Sequence, residues 1–215
     1  MIKHIFLTFS LLFFSACSVK TPDNQWQYKS AAAFNSYTTN FLSAQDVLAN
    51  NDLKRATDHA KTSATLIQLA KIHLGVCALD ISVGNSNTCA KYKELSPIVK
   101  DKQLDAYYSL LTNSLSTQDI KNLPVQYQSF AKHINDKKKA IQSIQNINKA
   151  TSRFLSYALI KNELSSQTQE KIIQEASFYG YKKIALFWLQ ELLQNTQTQE
   201  EKQKILKKIS IMNSN

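Results

Sequence analysis

Apolar residues recur along this chain at spacings of three and four, the period of an amphipathic helix. In residues 25–49, Phe34, Tyr37, Phe41, Ala44 and Leu48 form one such stripe. Residues 53–64 place Ala56, Ala60 and Ala64 four apart, a small-residue face that lets two helices approach closely. The stretch after Thr65 runs to Ser82 and is largely apolar, with Leu66, Leu69, Ala70, Ile72, Val76, Cys77 and Leu79. Helices are predicted again over 104–115, with Tyr107, Tyr108, Leu110 and Leu111, and over 125–148, with Phe130, Ile134, Ile141 and Ile144. Another holds Phe154, Leu155, Ala158 and Leu159. Residues 170–179 and 181–194 form a pair split by Gly180, and Ile205, Ile209 and Met212 mark a last helix. The pattern gives eight or nine helices and no strand.

Punctuation sets the expected boundaries. Asn50-Asn51-Asp52 reads as a turn, with Asp52 as the N-cap of the next helix. Thr65 with Gln68, Ser166 with Gln169, and Thr198 with Glu201 have the spacing of capping boxes. Gly84 suits the position just past a helix end. Ser96-Pro97 opens an element, and Pro124 breaks the chain before the next one. Gly75, Gly84 and Gly180 are too far apart to build a phosphate-binding loop, and so few glycines argue against an α/β enzyme. The expected fold class is all-α: antiparallel helical hairpins, either as a short solenoid or as an irregular helical bundle.

The first sixteen residues stand apart. Lys3 and His4 precede an apolar run from Ile5 to Phe14, interrupted by Thr8 and Ser10, and small Ser15 and Ala16 follow. Ten helical residues rise about 15 Å, half of a bilayer core, so the run is too short for a permanent span. Phe14-Ser15-Ala16-Cys17 resembles the lipobox of bacterial lipoproteins, with Phe14 where that family usually has Leu. The resemblance implies that residues 1–16 are a signal peptide and that Cys17 carries the lipid. Residues 17–24 then tether a helical domain, residues 25–215, to a membrane of the bacterial cell envelope. Two or more acyl chains make a stable anchor. Ser18, in the place of a retaining Asp, favours the periplasmic face of the outer membrane over the inner membrane.

A second resemblance lies in the helical region. Ala176-Ser177-Phe178-Tyr179-Gly180-Tyr181, followed by Ile184-Ala185-Leu186, is similar to half of a tetratricopeptide repeat. Residues 44–56 resemble the same turn, with Asn51 in the place of Gly. No period of about 34 residues is visible between positions 84 and 165. The resemblance implies helical hairpins that bind another protein. Most of the aromatic group around Gly180 is expected in the core, and Tyr181 or Trp188 is the candidate anchor for a partner peptide.

The formal charge is +10, or +9 once Lys3 leaves with the signal. Lysine carries nearly all of it, with Arg55 and Arg153 the only arginines, so a nucleic-acid partner is not expected. Lys137-Lys138-Lys139 is the densest run: a solvated helix face, or the contact for an anionic lipid or polymer. Cys77 and Cys89 are expected to pair as a disulfide in an oxidising compartment. His73 and Cys77 share a helix face but lack further ligands, so no metal site or cofactor is expected. Glu170, Glu175, Glu191, Glu200 and Glu201 show no acid–base pairing, and no nucleophile motif is present, so no catalytic residue is expected. The expected function is a non-catalytic, lipid-anchored adaptor for an envelope protein. The alternative is a binding module for anionic lipid or cell-wall polymer.

Overall fold

Residues 24–214 are described by a computed structural model; the lipobox, Cys17 and most of the tether lie outside the described residues. The chain forms α1 (Gln25–Leu42), α2 (Asp46–Ala60), α3 (Ile67–Ser82), α4 (Ala90–Val99), α5 (Lys102–Leu111) and α6 (Val125–Lys132). It continues through α7 (Lys137–Gln145), α8 (Ala150–Leu159), α9 (Ser166–Phe178), α10 (Lys182–Asn195) and α11 (Gln199–Asn213). Short 3₁₀ helices cover Thr117–Asn122 and Lys161–Glu163, and no strand occurs among the described residues. The fold class is all-α. No described helix is long and apolar enough to cross a membrane.

The most apolar segment becomes the centre. Leu69, Ala70, Ile72, Leu74, Cys77, Ala78, Leu79 and Ser82 of α3 are all buried, so this helix has no solvent stripe to speak of. A helix that is apolar all round must be covered all round. Helices α1, α2, α4, α5 and α8 supply that cover. On one side the small residues foreseen from their spacing do their part: Ala56 and Ala60 of α2 are fully buried against Ala33, Leu69 and Ile72. The Ser30 hydroxyl donates to the Ala56 carbonyl at 2.9 Å, locking α1 to α2. Ala64 lies past the end of α2 and is exposed.

The ends of the domain meet. The Lys183 ammonium of α10 pairs with Asp46 of α2 and sits 4.0 Å from the centre of the Phe41 ring of α1. In an open solenoid each repeat touches its neighbours alone. A contact between the first and the tenth helix closes the array, so the arrangement is an irregular bundle of hairpins.

Several boundaries differ from the sequence reading. The first turn falls at Ser43–Gln45 rather than at Asn50-Asn51-Asp52, which lies inside α2. Ala44 takes a left-handed conformation there (φ 62°), and the Gln45 amide reaches back to the Asn40 carbonyl. Asp52 is no N-cap: it is buried, accepts from Asn40 Nδ2 at 2.7 Å and pairs with Arg55. Leu48 is rephased by the earlier turn and faces solvent. The predicted helix over 125–148 is two helices, α6 and α7, parted by a turn that ends on the N-cap Asp136. Thr65 does not cap α3, which starts at Ile67 after Leu66 in a left-handed conformation. Pro97 lies within α4 rather than at its start. The C-terminal end of α3 and the start of α11 match the reading. Gly84 (φ 82°) follows α3 with the paired backbone bonds of a Schellman turn, and Thr198 caps α11.

Cys77 of α3 and Cys89, just before α4, form a disulfide with Cα atoms 5.3 Å apart. The cross-link ties the central helix to its neighbour across the turn at Gly84. By the loop-entropy argument it contributes about 3 kcal/mol. Replacing both residues (Cys77→Ala with Cys89→Ala) is expected to lower the unfolding free energy by about that amount in a urea titration. An unchanged midpoint would show that packing around α3 holds this turn without the bond.

Candidate functional site

Among the described residues, the hairpin α9–α10 carries the largest exposed aromatic group. Helix α9 ends at Phe178, and Gly180 (φ 68°) reverses the chain, with the Tyr181 amide donating to the Ala176 carbonyl at 2.9 Å. Nothing lies within 4 Å of where a Cβ on Gly180 would stand. The glycine is therefore there for its backbone angle rather than for close packing against a neighbour. Around it, Phe178 is 84% exposed and Tyr179 43% exposed. The rings form a row: Phe178 meets Tyr179 edge-on at 5.3 Å, Tyr179 stacks on Tyr181 at 5.5 Å, and Tyr181 meets buried Phe154 edge-on at 6.0 Å. The row thus runs from solvent into the core.

Ion pairs hold this apex. Arg153 of α8 donates from Nε to Glu175 of α9 at 2.9 Å and from Nη1 to the Asn148 carbonyl at 2.9 Å. It also bonds the Ile147 carbonyl. One planar cation therefore ties two carbonyls of the loop between α7 and α8 to the last turn of α9. The Lys183–Asp46 pair on the other flank brings the first turn of α2 alongside, where Val47 is 76% exposed. Phe178, Tyr179 and Val47 thus give this end of the bundle an apolar surface. Phe41, beneath Lys183, lies about 25 Å along α1 from Asn24, so the apex sits at the end remote from the start of the domain.

The two candidate anchors part company. Tyr181 is half-buried, linking the exposed rings to Phe154; burial, with Tyr179 beside it, pushes its hydroxyl pKa up. Trp188 is fully buried, in ring contact with Phe187 at 5.0 Å, because its side of α10 turns to the core. It presents no surface to a partner, and its place as an exposed anchor falls to Phe178. Lys137, Lys138 and Lys139 are exposed on the first turn of α7, where Lys139 is paired with Asp136 at 3.1 Å. The Lys139 backbone amide that Asp136 caps, and then the Lys139 side chain, hold the Asp136 carboxyl below its ordinary range.

The remaining chemistry is structural in its geometry. Cys77 is bonded to Cys89, so it is no partner for His73 as a ligand. Burial, with Lys91 and Lys61 nearby, holds the His73 pKa below its ordinary value. No metal-holding group of three His, Cys, Asp or Glu occurs among the described residues. Glu175, Glu191 and Glu200 are paired with Arg153, Lys161 and Lys204. No known protein family matches the chain, and neither does any curated protein or solved structure.

The α9–α10 hairpin contains an energetic anomaly. Ser165, not Ser166, caps α9, accepting from the Thr168 amide at 3.3 Å. Gln169 is thereby turned into the core, where it is fully buried with neither amide atom bonded; the Trp188 indole N–H is also unpaired. Leaving such groups without a partner costs about 1–3 kcal/mol each. Gln169→Met keeps the volume and removes the polar atoms. It is expected to raise stability by about 1 kcal/mol in a denaturant titration. A clear loss of stability would reveal a bonding partner for the amide.

Proposed function

We propose that this chain is a lipid-anchored protein of the bacterial cell envelope that acts as a non-catalytic, protein-binding adaptor. In this reading Cys17 carries the anchor, residues 18–24 are the tether, and the bundle is the binding domain. The observation that carries it is the aromatic apex: Phe178 and Tyr179 are exposed at the α9–α10 turn, and Val47 is exposed on the first turn of α2, which the Lys183–Asp46 pair ties to that hairpin. Large aromatics left in water around a rigid turn are what a partner buries as anchors. Seven residues of tether reach at most about 25 Å, so the bundle stays close to its membrane while the apex faces outward from it. Burying one ring of that exposure contributes roughly 2 kcal/mol, so two or three suffice for a specific contact.

Photo-cross-linking in cells tests the reading. A photoreactive residue at position 178 is expected to capture one envelope protein. Phe178→Ser together with Val47→Ser should reduce capture by a conventional surface cross-linker at least about tenfold without altering the melting temperature. Cys17→Ala should release the chain from the membrane fraction and lose the partner. Capture of no specific protein from position 178 would overturn the adaptor reading, and membrane retention of Cys17→Ala would overturn the anchor.

A further inference from the structure

A second recess lies in the middle of the bundle, away from the apex. Helices α1, α3, α5 and α8 and the start of α6 leave a cleft of about 210 Å³. Its apolar walls include Phe34, Leu79 and Leu155. Gly75 shapes one side: a Cβ there would stand 2.4 Å from the tip of the Phe34 ring, so only glycine lets that ring lie on α3. The inner surface is polar. Tyr107 and Tyr127 stack at 5.4 Å, and buried Ser152 lines the cleft beside them. Burial pushes the pKa of both tyrosines up, so the row stays neutral and offers hydrogen bonds rather than charge.

The mouth has the opposite character to the walls. Lys149 lines it, is exposed, and is in no ion pair among the described residues. Gln126 and Thr151, in the first turns of α6 and α8, line it as well, and neither helix start has a side-chain cap. Their free amide ends add positive potential to that of Lys149. Helix starts of this kind are common; the shaped cavity beside them is what is particular here. The larger groove of about 590 Å³ between α9, α10 and α11 has no such polarity, since Glu170 and Glu201 offset Lys204 and Lys208 along it.

We propose that the cleft beside Gly75 is a binding site for a small aromatic carboxylate, its ring held among Phe34, Tyr107, Tyr127 and Leu155 and its carboxylate met by Lys149. The volume falls below the roughly 300–1,000 Å³ of sites for drug-sized ligands, which selects a single ring over a fused system or a long acyl chain. Stacked and edge-on contacts favour an aromatic ring over an aliphatic group of similar bulk. A free aromatic acid and the C-terminal phenylalanine of a peptide share this chemistry. The site is independent of the apex, and its failure leaves the adaptor reading untouched.

The test is a titration of the full chain followed by amide NMR spectra, with phenylacetate, phenylacetamide and N-acetyl-Ala-Phe as probes. Phenylacetate or the peptide is expected to shift the signals of residues 34, 75, 107, 127 and 152 saturably. Phenylacetamide should bind roughly tenfold more weakly than phenylacetate, the effect of losing one charged contact. Lys149→Gln should weaken phenylacetate by the same factor and leave phenylacetamide unchanged; Lys149 makes no side-chain bond to α8, so this variant retains the fold. Tighter binding of N-acetyl-Ala-Phe than of phenylacetate would assign the source as a peptide end, and the reverse order as a free acid. No saturable shift at these residues by about 10 mM of any probe would overturn the proposal. So would phenylacetate binding that Lys149→Gln does not change.

Discussion

The burial of α3 on every side is the constraint from which the rest of the bundle follows. A helix with this much apolar surface cannot face water, and no one partner helix covers more than a third or so of its circumference. Five helices therefore lean on it, drawn from both halves of the chain. Close approach is needed at two points, and a glycine stands at each. Phe34 lies across Gly75, and Phe187 of α10 lies across Gly84, where a Cβ would be 2.3 Å from its ring. The second contact draws the α9–α10 hairpin onto the end of α3, beside α1, and so closes the bundle. The aromatic apex is a by-product of that closure: once Phe187 and Trp188 are used in the core, Phe178 and Tyr179 are left outside.

Much of this was legible from the chain alone wherever local chemistry decided the outcome. The extent of α3 to Ser82, the turn at Gly84, the cap at Thr198, the hairpin about Gly180 and the pairing of Cys77 with Cys89 each depend on residues close in sequence. What was missed depends on helix ends without a glycine. Ala44, Leu66, Cys89, Lys100 and Asn113 all take left-handed angles. Each such angle costs about 1–2 kcal/mol at Ala44, Leu66, Cys89 and Lys100, a cost that tertiary packing offsets and that no turn signal announces; Asn113 adopts it more readily. The Asn50-Asn51-Asp52 run misled for the converse reason. Its turn chemistry is real, yet Asp52 gains more from Asn40 and Arg55 across the α1–α2 interface than from capping.

The candidate sites show the same divide. An aromatic group around Gly180 was visible as a candidate, but which ring faces water was settled by the side of α10 that turns inward. Trp188 went in and Phe178 stayed out. The central cleft had no signal in the sequence. Its lining spans residues 34 to 155 and comes together only when helices from both halves pack on α3. The two surfaces also differ physically. The apex offers area without shape, suited to a broad protein contact, whereas the cleft offers shape and a polarity gradient, suited to one ring and one charge.

Both surfaces presuppose that the bundle is closed around α3, and hydrogen exchange resolved by residue tests that premise most directly. A closed bundle predicts that α3 amides exchange most slowly, through global unfolding, with α1 and α10 opening together with it. Independent opening of the α1–α2 and α9–α10 hairpins, with α3 no slower than either, would mean a linear array and would contradict the account.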